Sequence, residues 1–203
     1  IFENNDPGVA VPKKDLTSVV LQRVDELGDK SALIDGTSGR ALSYNELSSQ
    51  IKHLAAGLNQ RGFKKGDVCA VFCPNLPEYA TIFLGVAAVG GINTTVNSLY
   101  STNDLIHQFT DSRAKFLITI PAFMDRALPA ADKCGIEEIF VLGEAAGATP
   151  FSELLKNDGI APEVTIDPKN DLVALPYSSG TTGLSKGVML THENLVSDMV
   201  LTT

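Results

Sequence analysis

Residues 172–191 read LVALPYSSGTTGLSKGVMLT: an apolar run, a Ser/Gly/Thr-rich stretch and a second apolar run. The flanks, Leu172 to Pro176 and Val188 to Leu190, have the composition of short strands. Between them Ser178, Ser179, Thr181 and Thr182 place four hydroxyls within five residues. Gly180 and Gly183 carry no Cβ, so the backbone can take unusual dihedrals and approach a phosphate closely. Successive backbone N–H groups in such a turn form a concavity for anions. Lys186 adds a positive charge, and Gly187 lets the chain straighten into the next strand. These are the donors a polyphosphate requires. On composition alone, a polar hairpin turn with no ligand is the alternative.

Two other phosphate loops are excluded. The Walker type needs Gly followed directly by Lys, and no Gly-Lys pair occurs in the chain. The dinucleotide fingerprint needs two glycines one residue apart, and none are so placed. Both of those loops lead into a helix. Here Gly187-Val188-Met189-Leu190-Thr191 follows the lysine and favours a strand, which makes the device a strand–loop–strand hairpin.

Upstream of this stretch, strands and helices alternate. Leu16 to Leu27 predicts a helix, and Ala32 to Ile34 and Ala41 to Leu42 predict short strands around the turn Asp35 to Gly39. Ser43 and Glu46 have capping-box spacing, and the helix they open carries Leu47, Ile51, Leu54, Ala55 and Leu58 to its end near Gly62. Val68 to Phe72 reads as a buried strand. Pro77 suits a first helical turn, and that helix runs to Ala88. Ile92 to Val96 is extended, Ser101 to Ser112 helical, Phe116 to Ile120 a strand, Phe123 to Cys134 a helix and Glu138 to Leu142 a strand. From Gly143 to Asp171 the pattern loosens into a surface excursion with one short helix near Phe151 to Leu155. Thr191 caps a last helix. Strands separated by helices of this length imply an α/β fold, with a mostly parallel sheet flanked by helices.

The totals bound the function. With 203 residues, 44% hydrophobic and 20% charged, the chain suits one or two ordinary globular domains. A net charge of −8 argues against nucleic acid as a partner. It leaves room for a small polyanion such as ATP, which a few local donors can hold. No apolar run reaches the ~18 residues of a membrane span, and Thr81 to Ile92 is broken by Gly85, Gly90 and Gly91. Ile1 to Leu16 carries acidic residues and two prolines instead of a secretory signal. Cys69 and Cys73 lie roughly 13 Å apart along one strand, too far to bridge, so buried free thiols are expected. His53, His107 and His192 are scattered, and no metal site is expected from these residues. Both chain ends read as cuts.

The string LPYSSGTTGLSKGVMLTH, residues 175–192, resembles the phosphate-loop motif of the adenylate-forming (ANL) superfamily. Within it the chain is most similar to 4-coumarate–CoA ligases and their acyl-CoA ligase and luciferase relatives. The resemblance extends over the whole chain. LSYNEL at 42–47 resembles an early core motif, and Gly66-Asp67 through Pro74-Asn75-Leu76-Pro77-Glu78, then Gly85 to Tyr100, resemble the next block. One departure is Ser185, where family members commonly carry proline. Loss of a fixed φ should leave the loop more mobile.

The resemblance implies two steps. A carboxylate attacks the α-phosphate of Mg-ATP to give an acyl-adenylate and pyrophosphate, and the thiol of CoA, a co-substrate, then attacks the acyl carbon. It further implies that Thr181, Thr182 and nearby amides hold the β- and γ-phosphates, that Ser178, Ser179, Gly180 and Gly183 complete the cradle, and that Lys186 neutralises the leaving pyrophosphate. Lys186 and Thr182 are then the catalytic candidates. By the same analogy residues 1–203 are an incomplete N-terminal, ATP-binding domain, inactive alone. The acyl pocket, the magnesium ligands and the C-terminal domain would lie outside them.

Other polar residues read as structural. Tyr44 and Glu46 belong to the capping box, Asn75 and Glu78 to a turn and a helix start, His192 to a helix start, and His107 to a solvated helix face. Alternatives to an acid–CoA ligase are a luciferase-like or other adenylating enzyme with a different acceptor, and a phosphate-binding module without chemistry. A cytoplasmic location is expected, with a peroxisomal address as the alternative. The acid and the oligomeric state are open.

Overall fold

The computed structural model describes residues 10–161, 163–178 and 185–202. Asp15 caps the first helix, α1 (Leu16–Val20), its carboxylate accepting the Ser18 amide at 2.9 Å. The single helix expected over Leu16 to Leu27 breaks at Leu21 and resumes as α2 (Val24–Leu27). The two pieces dock on different partners. From α1, the Leu16 amide and Thr17 hydroxyl bond His192 and Leu84, whereas α2 lies beside the helix starting at Tyr44. One straight helix cannot serve both.

Strands β1 (Ser31–Ile34) and β2 (Ala41–Ser43) pair antiparallel around the expected turn, where the Asp35 carboxylate accepts the amides of Thr37 and Ser38. Helix α3 (Tyr44–Gln60) opens on the expected capping box. Ser43 Oγ accepts the Glu46 amide at 3.2 Å, and Glu46 Oε2 accepts the Ser43 amide at 2.8 Å.

Strand β3 (Val68–Phe72) is buried along its whole length. Cys69 and Val71 join the core with Leu54, Leu58, Ile82 and Val86, while Ala70 and Phe72 join a second core with Leu105, Phe109 and Ala127. This is the two-residue period of a strand covered on both faces. Helix α4 (Pro77–Ala88) therefore covers the first face with α3. After β4 (Ile92–Thr95), helix α5 (Thr102–Ser112) covers the second. Strand β5 (Ala114–Thr119), helix α6 (Met124–Cys134) and strand β6 (Glu138–Val141) follow, with α6 packed beside α5.

The short helix expected near Phe151 to Leu155 is present, but the stretch read as a surface excursion also supplies sheet and core. Thr149–Pro150 forms β7, parallel to β6, and the 3-10 turn Phe151–Leu155 buries Phe151 and Leu154 in the first-face core. Short range and mixed composition hid it, because two-residue strands carry no periodicity.

Strands β8 (Leu172–Ala174), β9 (Tyr177–Ser178), β10 (Lys186–Gly187) and β11 (Leu190–Thr191) precede the last helix, α7 (His192–Leu201). Val188 and Met189, expected within a strand, lie between two short ones. Among the described residues the main sheet has seven strands, in the order β11-β8-β4-β3-β5-β6-β7. All its described pairings are parallel except β11 with β8. A third apolar cluster joins α1, α3, α4 and α7 over Val173 and Ala174. Thr191 and Asn194 form the cap of α7.

Cys69 and Cys73 are free and buried, and burial pushes the Cys69 thiol far up and that of Cys73 up to about 12. Cys134 is free and only half-buried. Among the described residues, no helix is long and apolar enough to cross a membrane.

Candidate functional site

Strand β8 is parallel to β4, so the chain leaves its carboxyl end at Leu175, the end of a parallel sheet where ligands bind. The exit is tied down. Leu175 N donates to the Asn93 carbonyl at 2.8 Å, and Thr94 Oγ1 donates to the Leu175 carbonyl at 2.9 Å. That hydroxyl in turn accepts Gln108 Nε2 at 2.8 Å, and the same amide reaches the Thr95 carbonyl at 3.1 Å. A buried amide on α5 thus orients the strand end through a buried hydroxyl on β4.

The hairpin stem comes next. β9 and β10 pair antiparallel, with Lys186 opposite Ser178 and Gly187 opposite Tyr177, and Val188 N donates to the Pro176 carbonyl at 2.8 Å. The strand–loop–strand form expected from the sequence is present in these stems. Gly187 has a reason beyond chain straightening. A Cβ there would stand 3.2 Å from the Tyr177 ring, tighter than most such contacts. The missing side chain makes room for the aromatic opposite.

Of the predicted site residues, Ser178 and Lys186 face each other across the stem, and both are exposed. Ser179, Gly180, Thr181, Thr182 and Gly183 lie outside the described residues. Ser185 is described, and its carbonyl oxygen accepts His107 Nε2 at 2.8 Å. A carbonyl only accepts, so that nitrogen carries the proton. His107 is therefore not the solvated surface residue expected from sequence. It is half-buried, its ring perpendicular to that of Tyr177 with 6.3 Å between centroids. One turn along α5, Asp111 accepts the Tyr177 hydroxyl. Partial burial first, then the Asp111 carboxylate, raises the Tyr177 phenol well above its ordinary value, so it stays a donor.

His107, Asp111 and Tyr177 are the residues that sequence reasoning missed. Their four-residue spacing on α5 marked a common face, but nothing local showed that the hairpin docks there. His192 is fully buried under α1, where its Nδ1 accepts the Leu16 amide at 3.1 Å, a structural placement. Tyr44 and Glu46 sit at the start of α3, and Glu78 pairs with Arg40. Among the described residues, no three His, Cys, Asp or Glu side chains converge to hold a metal ion.

Comparison with known proteins bears on the family and the fold. Over 201 residues the chain is 38% identical to 4-coumarate--CoA ligase 2 of Petroselinum crispum, covering 98% of this chain and 37% of that protein. It is 37% identical, with the same coverage, to 4-coumarate--CoA ligase 5 of Oryza sativa subsp. japonica. The chain thus spans little more than a third of the length of these relatives. A long-chain-fatty-acid-CoA ligase from Archaeoglobus fulgidus superposes with a TM-score of 0.87 at 26% identity, over 99% of this chain and 41% of that one. A red-emitting luciferase from Phrixothrix hirtus shares the fold with a TM-score of 0.87 at 19% identity, over 97% of this chain and 39% of that one. The family described as AMP-binding enzyme matches residues 20–203, and this chain belongs to it.

Proposed function

We propose that residues 1–203 form the leading, ATP-binding part of the large domain of an acid–CoA ligase. The reaction joins a carboxylic acid to AMP with release of pyrophosphate, then transfers the acyl group to CoA. A 4-coumarate-like aryl acid of phenylpropanoid type is the substrate class, by similarity to relatives that carry that name. The observation that carries the proposal is the hairpin beyond β8, with the exposed Lys186 ammonium opposite the Ser178 hydroxyl at the root of a Gly/Thr-rich loop.

The donor set fits a polyphosphate. Negative charge develops on the departing pyrophosphate, and fixed donors aimed there lower the barrier. Thr181, Thr182 and neighbouring amides take the β- and γ-phosphates in this reading, Ser178, Ser179, Gly180 and Gly183 complete the cradle, and Lys186 meets the leaving group. Magnesium bound to ATP supplies further charge neutralisation, and no described residue of this chain is assigned to hold it.

The test uses the full-length enzyme and follows carboxylate-dependent pyrophosphate release and thioester formation over a panel of acids. Lys186→Ala and the double change Thr181→Ala, Thr182→Ala should each slow pyrophosphate release by about 10²- to 10³-fold. Wild-type ATP affinity and rate in both variants would end this reading. Adenylation without a CoA thioester would redirect it to another acceptor, and ATP binding without any pyrophosphate release would leave a binding module. Residues 1–203 alone should show no turnover above background.

A further inference from the structure

We infer that His107 and Asp111 are positioning residues for adenylation, holding both arms of the phosphate-loop hairpin against α5. The inference rests on the reading of the hairpin as the ATP site. Each arm has its own tie. Tyr177 on the incoming arm donates to Asp111, and the Ser185 carbonyl at the start of the outgoing arm accepts from His107. The two anchors are four residues apart on α5, so they share one face and a common rigid base.

That base is itself fixed. Gln108, next to His107, is fully buried and bonded to Thr94 and Thr95, and Phe109 sits in the second-face core. Rotation of α5 would break these contacts, so the two anchors cannot follow the hairpin if it shifts. The two-residue ladder between β9 and β10 is too short to fix the hairpin's attitude by itself. The His107 tie also explains how a chain with Ser185 in place of proline keeps this arm in position, because the acceptor is a backbone carbonyl and does not depend on the side chain. Displacement of bound groups by about 1 Å can cost 10²-fold in rate, and the anchors prevent displacement of that size.

The experiment compares the full-length wild type with His107→Ala, His107→Gln, Asp111→Ala and Tyr177→Phe. It reads carboxylate-dependent pyrophosphate release, KM for ATP and for the acid, and amide hydrogen exchange at residues 185–188. His107→Ala and Asp111→Ala should lower kcat/KM for ATP by about 10- to 100-fold, leave KM for the acid unchanged and speed exchange. His107→Gln, which still presents an N–H, should recover most of the loss. Tyr177→Phe should match Asp111→Ala. General loss of folded enzyme would lower kcat alone and would not be rescued by Gln. If the wild type is active and His107→Ala and Asp111→Ala equal it in kcat/KM for ATP and in exchange, the inference is overturned and the function stands. If the wild type releases no pyrophosphate with any acid, the functional reading falls and takes the inference with it.

Discussion

Gly57, inside α3, faces the carbonyl of Leu154 so closely that a Cβ would stand 2.0 Å from that oxygen. The contact joins the capped helix at the start of the sheet to the turn after β7, a separation of nearly a hundred residues. It is backbone against backbone position, so no flexible side chain can yield.

Gly57→Ala should therefore destabilise the fold despite alanine's better helix propensity. Overpacking of this kind costs about 1–3 kcal/mol, and for a chain of this size each kcal/mol lowers Tm by about 2–4 °C. Thermal or urea unfolding measures the change. A midpoint equal to wild type would show that the Phe151–Leu155 turn moves without cost.

The capping box of α3 makes a separate prediction. Ser43→Ala removes the acceptor of the Glu46 amide, while Ser43→Asn keeps one. The first should lose about 0.5–2 kcal/mol and the second much less. Equal losses in denaturant titration would place the cost in strand β2 and not in the cap.

Thr94 is fully buried, accepts from Gln108 and donates to Leu175. Thr94→Val keeps the shape and strips the hydroxyl, leaving buried polar groups unpaired at a cost of about 1–3 kcal/mol. Thr94→Ser should retain most of the stability. Since the hydroxyl orients Leu175, Thr94→Val should also speed amide exchange at Leu175 and Tyr177. Unchanged exchange there would contradict the relay.

His192 gives a pH dependence with a definite sign. Burial is the main cause of a pKa below the ordinary 6.5, despite opposing attraction from Asp15 and Asp171. The folded protein then binds fewer protons at this site than the unfolded chain. Stability from His192 is full above the unfolded value near 6.5 and declines as pH falls through it toward the folded value. His192→Asn keeps an acceptor for the Leu16 amide and removes the titration. Its stability should vary less between pH 7 and pH 5 than that of the wild type, and an identical slope would exclude His192 as the source.

Much of the fold was legible locally. Val68 to Phe72 is continuously apolar and forms β3 over those same residues; Ser43 with Glu46, Pro77 and Ser101 open helices where the sequence places them. These signals work because capping and apolar runs act over a few residues. The break between α1 and α2 and the strand β7 escaped, since each depends on contacts with distant chain. His107 escaped for the same reason, as a half-exposed histidine on a polar helix face looks solvated until another segment arrives.

From sequence alone came the alternation of strands and helices, the hairpin form around residues 178–187 and the donor chemistry that suits phosphate. Residue type and spacing suffice for those, because they are properties of a few neighbouring groups. Tertiary structure alone decided that α5 carries the hairpin, through His107 on Ser185 and Tyr177 on Asp111. Such ties span 66 residues or more of chain, and only the seating of α5 on β4, through Gln108 bonded to Thr94 and Thr95, brings their ends within hydrogen-bond reach.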